Sequence, residues 1–179
     1  MSTRLETVRA RIPDYAKDIR LNLDAVVQRS SLAPADALGC ALAAAYAAGN
    51  QELIDAFSES MEEIDVQAAL SAAALMAMNN TWYPYVEMAA DPELSQQRPE
   101  LRMQAYATHG GVARERFEAF ALAASAVGKC HFCIRSHYEL LKKAGWSIVQ
   151  LRDVGRIAAV VVAAAQALRV SAAETARVS

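Results

Sequence analysis

Glu118-Ala119-Phe120-Ala121-Leu122-Ala123-Ala124-Ser125-Ala126-Val127-Gly128-Lys129-Cys130-His131-Phe132-Cys133-Ile134-Arg135-Ser136-His137 decides the fold of this chain. Its first half is alanine and other apolar residues, and alanine is the strongest helix former. Nothing in it alternates as a half-buried strand would. The pattern predicts a helix over 114–127 that stops at Gly128, a residue suited to the left-handed position after a helix. A second helix is expected over 130–143, ending at Gly145. Residues 113–145 therefore read as a pair of helices joined by a short turn.

The same reading extends in both directions and predicts an all-α fold. Further helices are expected over 14–28, 34–49, 51–60, 65–79 and 102–108. Residues 91–99 carry two prolines and read as a loop, and His109 before Gly110-Gly111 reads as a helix end. Ser147 is placed to cap a last long helix reaching about residue 170, with residues 171–179 as a frayed tail. Residues 1–6 already look like a helix start. A weak internal repeat is suggested by a 51-residue offset, which lays Asn79 on Cys130, Trp82 on Cys133 and Val86 on His137.

The 179 residues are 54% hydrophobic and 21% charged, a globular balance that fits one domain over 1–179. The net charge is −2, and no lysine- or arginine-rich run marks a nucleic-acid surface. No signal peptide is evident, and the longest apolar run, residues 157–165, is far short of the roughly 20 residues a membrane span needs. The expectation is a cytoplasmic protein that binds neither nucleic acid nor membrane. Three cysteines, an odd number, argue against a secreted disulfide scaffold.

Chemistry concentrates at Cys130, Cys133 and His137. At about 100° per residue these three fall within a ~60° arc of one helix, while His131 and Phe132 point elsewhere. The cysteines lie in the first turn, where free N–H groups and the helix dipole favour a thiolate. Lys129 adds positive charge. Glu118 lies ~15 Å before the turn and His137 ~10 Å after it, so a chain reversal brings carboxylate and imidazole to similar depth. That arrangement would form a carboxylate–imidazole–thiol relay. A metal site and plain packing are the competing readings. A closed zinc site needs four ligands, and two cysteines with His137 supply three. Cys40 reads as an inert core thiol, Met76 and Met78 as core, and Trp82, Tyr83 and Tyr85 around Pro84 as core or subunit contact.

With these residues in hand, the chain resembles the alkyl hydroperoxide reductase AhpD family, within the carboxymuconolactone-decarboxylase-like superfamily. The resemblance rests on Ile12-Pro13-Asp14-Tyr15-Ala16-Lys17-Asp18-Ile19-Arg20-Leu21-Asn22-Leu23, on Met78-Asn79-Asn80, and on Arg98-Pro99-Glu100-Leu101-Arg102-Met103. It rests also on Glu118 followed by Cys130-x-x-Cys133-x-x-x-His137. It implies an all-helical subunit, a homotrimer, and a peroxidase that cycles through a Cys130–Cys133 disulfide. The family's relay would place Glu118 and His137 around the two thiols. Because His137 stands one turn from it, Cys133 is the expected peroxide-attacking thiolate and Cys130 the resolving thiol; the alternative is that Cys130, the first cysteine, is the exposed one that meets the lipoyl arm or the partner disulfide. The resemblance implies no tightly bound cofactor. It implies electrons from dihydrolipoamide on a lipoyl-bearing acyltransferase with dihydrolipoamide dehydrogenase, and a peroxiredoxin partner of the AhpC type. In one place the chain departs from the pattern. Where members often read C-x-H-C, this chain has Phe132, with His131 as the auxiliary imidazole candidate. A dithiol oxidoreductase serving AhpC, a decarboxylase-like enzyme and a non-enzymatic thiol or metal sensor are the alternatives.

Overall fold

The computed structural model describes the backbone of residues 3–178 and the side chains of residues 3–173. Ten α-helices run through these residues, with no β-strand among them. They are α1 (Thr3–Ala10), α2 (Lys17–Gln28), α3 (Pro34–Ala47), α4 (Gln51–Ser58) and α5 (Glu63–Ala89). They continue with α6 (Pro92–Ser95), α7 (Gln104–Thr108), α8 (Arg114–Gly128), α9 (His131–Lys143) and α10 (Ile148–Val178). Short 3-10 turns precede α2 and α8. No described helix is long and apolar enough to cross a membrane.

The centre of the fold is α8. Every residue from Phe117 to Ser125 is buried, so this helix has no solvent face over more than two turns. α3, α5, α9 and α10 enclose it. Such enclosure needs small side chains, and alanine supplies them: Ala119, Ala121, Ala123 and Ala124 on α8 and Ala41, Ala43, Ala44 and Ala45 on α3 are all buried. The closest approach is at Gly39, where a Cβ would lie 2.1 Å from the Phe120 ring. Phe120 therefore fills the space that a side chain on α3 would otherwise take.

Polar pins fix the helices around this core. Arg116 on α8 reaches Asp36 on α3 and Asp65 on α5, each at 2.8 Å. Asp153 on α10 is buried, and its Oδ2 accepts from the Ser31 N–H at 2.8 Å and the Ser31 hydroxyl at 2.9 Å. Its Oδ1 accepts from Arg152 and Arg156. Burial alone would raise the Asp153 pKa, but these hydrogen bonds outweigh it and hold the carboxyl well below the usual range. Ser147 caps α10 as a reciprocal box, its hydroxyl accepting from Gln150 N–H while Gln150 Oε1 accepts from Ser147 N–H.

Several boundaries differ from the sequence expectation. α5 does not stop near Asn79 but runs to Ala89, through Pro84. A proline inside a helix removes one backbone bond, and here the helix is held just before it: Asn79 is buried, Asn80 bonds to Ala124 on α8, and Tyr83 stacks on Phe132 of α9. Residues 92–95 form one helical turn capped by Asp91 rather than an open loop. The last helix reaches Val178, past the expected end at residue 170. The expected tail, residues 171–179, ends on Ser179, which lies outside the described residues. The 51-residue offset does not extend to the backbone: Asn79 sits inside one continuous helix, whereas Cys130 begins a new one.

Replacing Asp153 by Asn should cost about 2–3 kcal/mol, because buried hydrogen bonds to a charge are lost and the two arginines lose their counter-ion. Urea unfolding at neutral pH measures this. A midpoint equal to wild type would show that the Ser31–Asp153 link does not hold α10 to the α2–α3 connection.

Candidate active site

The two cysteines owe their position to how α8 ends. The left-handed residue is Lys129, at φ 56° and ψ 29°, and not Gly128, which remains helical. Gly128 is needed for a different reason: a Cβ there would lie 2.1 Å from Nδ2 of Asn80, which donates to the Ala124 carbonyl. The chain then reverses, with the Lys129 N–H bonded to the Ala126 carbonyl and the Cys130 N–H to Ser125. Cys130 becomes the N-cap of α9, and its Sγ accepts the Cys133 N–H at 3.2 Å. Cys130 and Cys133 are joined as a disulfide with Cα atoms 5.3 Å apart. Both are buried, at 0% and 3% exposure. One sulfur already takes a backbone N–H at the positive end of a helix, the setting that stabilises a thiolate once the bond is reduced.

One turn beyond Cys133 stands His137, also buried. Its Nδ1 is 2.6 Å from Glu118 Oε2. The other carboxylate oxygen, Oε1, accepts the Tyr106 hydroxyl at 2.5 Å and lies 3.7 Å from Arg114 Nε. Burial pushes the Glu118 pKa up, but the hydrogen bonds from His137 and Tyr106, with the charges of His137 and Arg114, outweigh it and leave a lowered value. Glu118 is therefore ionised, can only accept, and fixes the hydrogen on Nδ1. His137 Nε2 is 3.1 Å from the Met76 sulfur. A thioether has no hydrogen to give, so both ring contacts are hydrogen bonds only when the ring carries two. Tyr106 responds in the opposite sense to Glu118. Burial first, then its bond to Glu118 and that charge, raise its pKa, with Arg114 opposing.

The turn carrying Tyr106 is pressed against α5. Gly110 has φ 59°, and a Cβ there would lie 2.7 Å from the Ala68 Cα. His109 takes the left-handed position that ends α7, as a helix-end residue. Tyr106 then packs edge-on against Phe117, with ring centroids 5.8 Å apart.

The structure thus brings Glu118, Cys130, Cys133 and His137 together. His131 does not join them. It is exposed, with Nδ1 3.6 Å from Glu87, on the outer side of α9. Phe132 is likewise turned outward, onto Tyr83. Cys40 is fully buried, and burial, then Asp36, raise its thiol pKa far above the ordinary value. Among the described residues no group of three or more His, Cys, Asp or Glu is placed to hold a metal ion. Sequence reasoning missed three participants. Arg114 was findable, four residues before Glu118 on one helix. Met76 and Tyr106 were not, because only the packing of α5 and of the α7 turn brings them to His137 and Glu118.

Residues 92–176 match the carboxymuconolactone decarboxylase family. Over most of the chain there is similarity to proteins named alkyl hydroperoxide reductase AhpD. The one from Rhodospirillum centenum is 40% identical over 173 residues, 94% of this chain and 92% of the relative. The one from Anaeromyxobacter dehalogenans is 42% identical over 171 residues, 93% and 91% respectively. A third, from Coxiella burnetii, is 40% identical over 169 residues, 90% and 95%.

Because the Glu118 pKa is lowered, its pairing stabilises the fold above the ordinary glutamate value of about 4.3, and that stability is lost as pH falls through the folded value. Tyr106→Phe removes one of the bonds that lower it. The variant should lose about 1–2 kcal/mol at neutral pH, with the gap to wild type closing below about pH 4. Denaturant melts across pH 3–7 test this, and a gap that does not depend on pH would assign the loss to packing alone.

Proposed function

The chain belongs to the AhpD family of alkyl hydroperoxide reductases, and from that membership we propose that it reduces alkyl hydroperoxides through a Cys130–Cys133 dithiol cycle in the cytoplasm. The observation that carries this reading is the buried Glu118–His137 pair, with Nδ1 and Oε2 2.6 Å apart, one helical turn beyond Cys133. An activated thiol needs a base that is itself oriented by a third group; Glu118 orients His137, and His137 follows Cys133 by one turn of α9.

In the reduced protein, His137 takes the Cys133 proton. The thiolate attacks the terminal oxygen of R-O-O-H, donates two electrons and breaks the O–O bond. That oxygen remains on sulfur as the sulfenic acid. The alkoxide takes the proton from His137 and leaves as the alcohol. The Cys130 thiol then attacks the Cys133 sulfur, and the sulfenic oxygen leaves as water with the Cys130 proton. Dihydrolipoamide on a lipoyl-bearing acyltransferase supplies the next two electrons by thiol–disulfide exchange, restoring both thiols and leaving the lipoyl disulfide. Dihydrolipoamide dehydrogenase recharges the donor. An AhpC-type peroxiredoxin is the second acceptor of the same electrons. Glu118 holds the imidazole in one orientation and offsets its charge, and Cys40, buried and far from thiolate character, stays outside the cycle. The family resemblance is what sets the assembly at a homotrimer; self-association of that kind would cover an apolar strip on α5, where Met78, Trp82, Tyr85 and nearby Leu101 line one shallow cavity.

With lipoamide, dihydrolipoamide dehydrogenase, NADH and an organic hydroperoxide, wild type should consume NADH, and faster when AhpC is present. Cys130→Ser and Cys133→Ser should each fall to background. Glu118→Gln should slow turnover on the order of 10²-fold while the disulfide still forms. If wild type consumes no more NADH than the cysteine variants, the reductase reading is wrong. Turnover only with AhpC present would instead make the protein a dithiol donor to that partner.

A further inference from the structure

Beside the dithiol, on the outer side of α9, lies an open cleft of about 500 Å³. The C-terminal half of α5, residues 94–99 and the first two turns of α9 form it. Its apolar wall is the stacked pair Tyr83 and Phe132, ring centroids 4.3 Å apart and planes 25° from parallel. Val86 and Pro99 extend that surface. Phe132 keeps 54% of its surface exposed, although it sits between two buried cysteines. An aromatic ring left open in this way gains free energy from any apolar body that covers it.

The cleft also has a cation to spare. Arg135 lines it, is exposed, and has no hydrogen-bond or ion-pair partner among the described residues. His131, one turn before it, faces Glu87 at 3.6 Å, so the carboxylate in the cleft already has a basic neighbour. The lining therefore offers an aromatic shelf and an unpaired guanidinium, a fork that matches a carboxylate. The reacting sulfurs lie on the inner face of the same first turn. A ligand whose carboxylate sits on Arg135 must round the helix start to reach Cys133. That sets its reactive group about 10 Å from its carboxylate, the width of a helix.

We propose that this cleft binds the body of the peroxide substrate and selects long-chain hydroperoxides that end in a carboxylate, the chain lying on Tyr83 and Phe132 and the carboxylate on Arg135. The proposal rests on the peroxidase reading above and names its substrate class. The redox step is the same: two electrons pass from the Cys133 thiolate to the O–O bond, the terminal oxygen stays on sulfur, and the protonated alkoxide leaves as a hydroxy fatty acid.

Binding can be measured without turnover. A long-chain hydroxy fatty acid, the reduced product, and its methyl ester are titrated by calorimetry into the full-length disulfide form. The acid should bind about 1.5- to fivefold more tightly than the ester, the range expected of one exposed ion pair. Arg135→Gln should remove that difference, and Phe132→Ala should weaken both ligands about tenfold. In parallel, the ratio of kcat/KM for the hydroperoxy acid over its methyl ester should drop toward one in Arg135→Gln. Equal binding of acid and ester by wild type, or unchanged affinities in Phe132→Ala, overturns the cleft assignment and leaves the peroxidase reading intact. Selective binding of the hydroxy acid without reduction of any hydroperoxide overturns the peroxidase reading and keeps the cleft as a fatty-acid site.

Discussion

An ionised carboxylate on a helix with no solvent face is the constraint around which this structure is arranged. Glu118 lies within the fully enclosed part of α8. A buried charge without partners costs several kcal/mol. Each partner comes from a different place: His137 from α9, Tyr106 from the α7 turn, Arg114 from the exposed start of α8 itself. To deliver them, α9 must reverse tightly against α8, which requires Lys129 left-handed and Gly128 beneath Asn80. The α7 turn must also press on α5, which requires Gly110 against Ala68. The helix-on-helix packing and the chemistry are thus one arrangement.

The match to the decarboxylase family, residues 92–176, covers α6 to α10 and nearly every group at the site. What lies before it, α1 to α5, is mainly scaffold, with α3 supplying the close face for α8. One side chain from this part does reach the site. Met76 meets His137 Nε2, the nitrogen turned away from Glu118. The N-terminal half therefore sets the surroundings of the imidazole as well as the position of the helix that holds it.

Much of this was legible in the sequence, and the reasons for the rest are physical. Alanine content and helical spacing carry the fold class, because propensity and pattern agree along nearly the whole chain. The Glu118–His137 meeting followed from counting residues either side of a turn, since two antiparallel helices have a fixed rise. Gly128 misled because glycine has two uses. It permits a left-handed backbone, and it also permits a close neighbour; here the neighbour, Asn80, is 44 residues away from Ala124, the residue it bonds on α8. The end expected near Asn79 fell too early, because contacts with α8 and α9 carry α5 through Pro84 and outweigh one lost backbone bond. Tyr106 and Met76 carried no local signal at all, as each acts only through tertiary contact.

The depth of the disulfide bears on how the protein would sit in a cell's thiol economy. Exchange requires a thiolate to approach one sulfur along the S–S axis. With Cys130 at 0% and Cys133 at 3% exposure, small bulk thiols find no sulfur at the surface to strike. Burial of this kind slows exchange with any thiolate that does not first displace the residues covering the sulfurs. A reductant that docks on this face and shifts those residues would therefore react faster than a small thiol of the same potential.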